Sequence, residues 1–193
     1  MQNQLLMSSF NPVQIIGDFG AYIQNCATKE SMEEMLQTIQ TFESMPLRFG
    51  TRYTVHSFRT SHAPFFKGIR EIMTEGIKIF LEKTDRSIDD YKPSNDYYAV
   101  VKWNQERMGR HQQSVDTKNE VLIIPEVSSY LFMTDDYEGG EFNFTDLNIS
   151  IKPKAGDMIV FNSNAFISIN PMKDGGRKIE VNMPMYLASK DID

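Results

Sequence analysis

The chain is short of the features that mark several whole classes of protein. It has one cysteine, Cys26, so no intrachain disulfide can form, which fits a reducing compartment. No apolar run reaches the length of a transmembrane helix. The first residues, MQNQLLMSSFNP, lack the basic stretch and long apolar segment of a signal peptide. Basic residues are outnumbered, 20 Lys and Arg against 26 Asp and Glu, for a net charge of -6. They form no cluster, and a nucleic-acid face would show a basic stripe. Internal repeats and low-complexity tracts are missing too. What remains is a soluble protein, cytoplasmic at synthesis, with no nucleic-acid or membrane partner. Its 193 residues suit one domain, and a chain of that size buries roughly 70% of its unfolded surface.

What is present divides near residue 95. Residues 1–95 are helix-rich and residues 96–193 strand-rich. Val13 to Ile16, closed by Gly17, predicts an early strand. Met32, Met35, Leu36, Ile39 and Phe42 fall at helical spacing, with Ser31 as the expected N-cap, Glu34 three residues on, and Pro46 as the stop. A second stripe, Phe65, Phe66, Ile69, Ile72, Met73, Ile77, Phe80 and Leu81, predicts a helix after Ser61 or His62. Both stripes are expected to face the core. Asp85 to Asn95 is polar, contains Pro93, and predicts a loop.

From Tyr97 the period changes. Tyr97–Trp103, Val121–Ile124, Val127–Met133, Glu141–Phe144, Asn148–Lys152, Met158–Phe161, Ala165–Ile169 and Lys178–Leu187 are aromatic or β-branched and predict strands. Turn chemistry separates several of them: Gly139-Gly140, Pro153 to Asp157, and Asp174-Gly175-Gly176. Many short strands with regular turns predict a jelly roll, with the helices packed outside. The fold class is therefore α+β, mainly β.

Four motifs occur in order. They are Met108-Gly109-Arg110-His111-Gln112-Gln113, then Thr134-Asp135-Asp136-Tyr137-Glu138-Gly139-Gly140-Glu141, then Lys152-Pro153-Lys154-Ala155-Gly156-Asp157, then Gly175-Gly176-Arg177. Together they closely resemble the C-terminal half of prolyl-4-hydroxylase-like 2-oxoglutarate/Fe(II) dioxygenases, including the short ones that phages carry. The resemblance runs from about Tyr97 to the end; the first half matches only in its helix-rich character. It implies a double-stranded β-helix, a cupin-like barrel open at one end. There, two histidines and one carboxylate would hold iron, leaving positions for 2-oxoglutarate and oxygen.

The resemblance also implies where those ligands would stand. His111 keeps the first histidine. Gln113 stands where the aspartate belongs, and Ile167, after Ser163-Asn164, stands where the second histidine belongs. An amide is a weak donor to a divalent metal and isoleucine is none. A four-ligand zinc site is worth roughly 10–16 kcal/mol. On that scale two lost ligands cost ~6 kcal/mol, on the order of 10⁴ in affinity. Asp116 lies too far along the chain for a His-x-Asp geometry. His56 and His62 lie upstream of the barrel strands and read as surface or interface residues. Asp135-Asp136 reads as a turn. Arg177 matches the arginine that pairs with the distal carboxylate of 2-oxoglutarate in the family, a pairing a guanidinium suits. An arginine there equally serves to satisfy barrel carbonyls or an acidic neighbour such as Asp157.

The leading expectation is a catalytically inactive dioxygenase-like protein without a cofactor, reused as a structural or interaction component such as part of a phage virion or tail. Its partners would be other virion proteins or a second copy. It would be made in the host cytoplasm and carried in the virion. The high methionine count, 12, includes Met7, Met183 and Met185 near the ends, where an interface would use them. The alternative is an active hydroxylase using Fe(II) and 2-oxoglutarate through a non-standard ligand set centred on His111. A third reading is a dicarboxylate- or sugar-binding module using the same mouth and Arg177.

Overall fold

In chain order the elements are β1 (Val13–Ile16), β2 (Gly20–Ile23), α1 (Lys29–Gln40), β3 (Met45–Pro46), β4 (Tyr53–Phe58), α2 (Ala63–Lys83), β5 (Tyr91–Pro93), β6 (Tyr97–Trp103), β7 (Arg107–His111), β8 (Asp116–Lys118), β9 (Val121–Ile123), β10 (Val127–Phe132), β11 (Phe142–Phe144), β12 (Ile149–Ile151), β13 (Met158–Asn162), β14 (Ile167–Ile169) and β15 (Arg177–Leu187). They come from a computed structural model that describes residues 13–40, 45–46, 53–58, 63–93, 97–103, 107–111, 116–118, 121–123, 125–173 and 177–188. For 38–40, 45–46, 53–58, 63–66, 97–103, 107–111, 116–118, 121–123 and 177 it describes the backbone alone.

The strands form a large sheet in the order β1-β2-β13-β10-β15-β6-β4-β3, with β5 added along β15, and a smaller sheet in the order β12-β11-β14-β7. β8 and β9 make a separate hairpin. Neighbours in both sheets run antiparallel and are mostly not consecutive in sequence, the jelly-roll pattern expected of a double-stranded β-helix. Among the described residues the two sheets do not close into a barrel. Strands β7 and β8 are not among those expected from sequence, and the first 95 residues differ as well. They contribute β2, β3 and β4 to the large sheet beside the predicted β1. The polar loop also contains β5, which pairs with Met185–Leu187.

Two apolar layers follow from the alternation of side chains along strands. In the outer layer, Ile179, Val181, Met183 and Met185 of β15 pack with Ile69, Ile72, Met73, Ile77, Phe80 and Leu81 of α2. The α2 residues recur three and four apart, so they lie on one helix face. Met183 and Met185, expected at an interface, are instead buried core residues. Met7 lies outside the described residues. In the inner layer, between the sheets, Tyr130, Phe132, Ile159 and Phe161 of the large sheet meet Phe142, Phe144, Ile167 and Ile169 of the small one. Their rings pack at centroid distances of 5.4–6.4 Å.

Helix α1 begins three residues earlier than its sequence suggests. Thr28 caps it, accepting a hydrogen bond from Ser31 N at Oγ1 over 3.2 Å, so Ser31 is the third helical residue. The Lys152–Asp157 turn is fixed from several sides. Asp157 accepts hydrogen bonds from the Tyr22 hydroxyl, from Asn25 N at 3.0 Å and from Lys154 N at 2.9 Å. Gly156 is held at φ +87°, where a side chain would strike the Ala27 carbonyl, and its own carbonyl accepts from Cys26 N at 2.8 Å. The turn therefore ties β13 to the start of α1. No described helix is long and apolar enough to cross a membrane.

Candidate functional site

The small sheet brings His111 and Ile167 together. β7 ends at His111 and β14 begins at Ile167, and the two are directly paired across the antiparallel ladder. Residues so paired lie on the same face of a sheet. Ile167 is 0% exposed and belongs to the inner apolar layer. Its other cross-strand neighbour is Phe144, whose ring sits 6.4 Å from that of Phe161 in the opposite sheet. The position that faces His111 is thus closed by hydrocarbon.

The remaining sequence candidates do not gather there. Gln113 and His62 lie outside the described residues. Asp116 begins the β8–β9 hairpin, opposite Ile123. His56 pairs with Ala99, which pairs with Val181, a residue of the helix-covered layer. Asp135 accepts from Ala155 N at 3.3 Å, in the Lys152–Asp157 turn. Among residues with described side chains, no three His, Cys, Asp or Glu converge as metal ligands. Cys26 is fully buried, and burial pushes its thiol up, far from a reactive thiolate.

Arg177 opens β15 opposite Trp103, and by alternation its position falls on the face of Ile179 and Val181. The neighbouring face of β15 carries Lys178, Glu180 and Asn182, turned to the interior between the sheets. Glu180 pairs with Phe132, and Asn182 with Tyr130. Lys178 is 0% exposed and Glu180 1%, and the Lys178 ammonium lies 3.1 Å from a Glu180 carboxylate oxygen. It also donates to the Gly140 carbonyl at 3.5 Å and sits 4.9 Å from the centroid of the Phe132 ring. This buried pair was missed from sequence. Its signal was there: in Lys178-Ile179-Glu180-Val181-Asn182-Met183 polar and apolar residues alternate, as in a strand with two different faces.

The Tyr137–Glu141 loop closes this corner. Lys152 donates to the carbonyls of Tyr137, at 2.9 Å, and of Gly139, and lies over the Tyr137 ring. Burial lowers its ammonium below the usual lysine range. Gly139, at φ +75°, bridges to Met172, and a side chain on it would run into the Pro171 carbonyl. Exposed Lys173 pairs with Glu138 and holds that carboxyl below its ordinary range. The Tyr137 hydroxyl is buried with no hydrogen-bond partner among the described residues. Burial first, then the charge of Glu180, pushes it well above the usual phenol value.

No family model matches the sequence. A PKHD-type hydroxylase of Colwellia psychrerythraea is 35% identical over 75 residues, 37% of this chain and 34% of that protein, so the match spans about a third of the relative. The viral collagen prolyl hydroxylase of Paramecium Bursaria Chlorella virus-1, solved as a 2OG complex, superposes with a TM-score of 0.66 at 19% identity over 88% of this chain and 96% of its own. A prolyl-4-hydroxylase of Pseudomonas putida gives 0.56 at 14% identity over 87% and 92%. The chain has the fold of the prolyl-4-hydroxylase-like 2-oxoglutarate/Fe(II) oxygenases. Against that fold, the donors described here do not fit iron. The side chain facing His111 has no atom to donate, and its surroundings are aromatic and aliphatic.

Proposed function

We propose that this chain is a catalytically inactive member of the prolyl-4-hydroxylase-like fold, kept as a structural or interaction protein. One observation carries the reading: Ile167, fully buried among Phe142, Phe144 and Phe161, is the residue paired with His111. The iron of such oxygenases is held by two histidines and a carboxylate, and the residue opposite His111 has no donor atom. The surrounding apolar layer supports Ile167 as a packed core residue. Fold alone does not transmit activity. What the chain offers a partner is then its surface. The proposed partners are proteins: a second copy, or components of a phage particle in which it serves as a virion or tail part.

The relatives are hydroxylases, which supports a working enzyme as the competing reading. That enzyme would draw further ligands from outside the described residues. Two measurements separate them. Purified protein given Fe(II), oxygen, ascorbate and 2-oxoglutarate should release no succinate above a metal-free control. Its melting temperature should be unmoved by EDTA or by added Ni(II). Fe(II)-dependent succinate release would overturn the proposal. Sedimentation of the protein with phage particles, or as a dimer, tests the partner.

A further inference from the structure

We infer that Glu180 is a built-in carboxylate ligand of Lys178, so that the interior corner beneath the Tyr137–Glu141 loop is an anion site occupied from within. The inference deepens the proposed loss of enzyme chemistry and rests on that reading. Lys178 is the one ammonium that the described residues place in the inner layer. A buried cation needs a counter-charge, and Glu180 supplies it from two residues along the same strand face, at 3.1 Å. The Gly140 carbonyl and the Phe132 ring take up further sides of the ammonium.

The same corner holds a second donor. The Tyr137 phenol is buried, has no hydrogen-bond partner among the described residues, and lies in the field of Glu180. Its ring packs against Gly140, where a side chain would meet it at 2.8 Å. An ammonium and a free phenol O–H in one water-poor corner are donors suited to a carboxylate. A carboxylate tethered in the fold competes at a local concentration that no dissolved anion matches. Glu180 therefore decides what the interior accepts: with it in place small carboxylates are turned away, and without it the corner binds them.

The test uses the full chain with no metal added. Acetate and succinate are titrated by calorimetry into the wild type, Glu180→Ala, and Glu180→Ala combined with Lys178→Met. The expected result is no binding to the wild type, binding to Glu180→Ala tighter by at least about tenfold, and its loss in the double variant. Where Glu180→Ala is too unstable to titrate, the same anions should raise its melting temperature or restore its folding, and leave the wild type unmoved. The inference is overturned by wild-type binding as tight as the variant's. It is equally overturned if neither anion binds nor rescues Glu180→Ala, or if the double variant responds as well as the single one. Succinate production from 2-oxoglutarate with Fe(II) present is a separate readout, so failure here is distinguishable from failure of the inactive-protein reading.

Discussion

The interior between the sheets has two ends, and they differ in chemistry. At one end, Ile167 lies with Phe144 and, across the gap, Phe161. There hydrocarbon stands opposite His111. At the other end, Lys178 and Glu180 sit against Phe132. There charge is retained and cancelled internally. The row of Phe161 is that of its partner Ser128, four residues from Phe132 along β10, so about 13 Å separates the ends. Tyr130, Phe142 and Phe161 pack ring to ring in that interior, at centroid distances of 5.5–6.0 Å. The contrast teaches that one interior can be closed in two ways: one end is filled with packing, the other with an ion pair.

The largest effect is expected from placing donor side chains at the first end. Gln113→Asp combined with Ile167→His should give Ni(II) or Mn(II) affinity on the order of 10⁴ above wild type, the converse of the two-ligand loss valued at ~6 kcal/mol. Calorimetry measures it, with Gln113→Asp alone as the control that should change little. A folded double variant that binds metal no better would show that the backbone at β7 and β14, and not only the donor set, has left the oxygenase geometry.

The second end is broken by separating its charges. Lys178→Met takes from buried Glu180 the ammonium that lies 3.1 Å away and should destabilise the protein by about 3–5 kcal/mol. Lys178→Met with Glu180→Gln removes both charges and should recover most of that loss, since buried ion pairs replaced together are often nearly neutral. Urea denaturation with a double-mutant cycle gives the coupling. Equal losses in the single and double variants would mean that the two side chains do not depend on each other.

How much of this was legible in the chain differs between its parts. Most strands from Tyr97 onward, the Pro153–Asp157 reversal and the helix at 63–83 are readable, because alternation, turn residues and three-four spacing are local signals; β7 and β8 are polar and carry no such signal. β2, β3 and β4 are not readable either. β2 and β4 pair with β13 and β6 far along the chain, and β3 is two residues paired with β4. Ser31 was a reasonable cap by residue type, but Thr28 sits where the backbone enters the helix. Motif order singles out Ile167, and strand register pairs it with His111. Arg177 is the basic residue of the Gly-x-Arg motif. Only strand register shows that the adjacent Lys178 lies in the inner layer, and that Glu180 reaches it.

The smallest expected effect concerns pH. Tyr137 is buried beside Glu180, with the charges of Asp135, Glu141 and Asp136 adding to the same effect, and its phenol is held protonated above the usual range. In the unfolded chain it ionises near the ordinary value of about 10. Below that pH both states keep the proton and the group contributes no slope. Above it the unfolded state loses a proton that the folded state retains, so stability falls as pH rises, by about 1.4 kcal/mol per pH unit for one such group. Tyr22, also raised by burial and by its bond to Asp157, adds a second contribution of the same sign. Tyr137→Phe should therefore flatten the decline in melting temperature between about pH 10 and 11 relative to wild type. It should leave the profile below pH 9 parallel to it. Unchanged alkaline slope in Tyr137→Phe would place the phenol in contact with water, and would remove the free donor from the corner that Lys178 and Glu180 share.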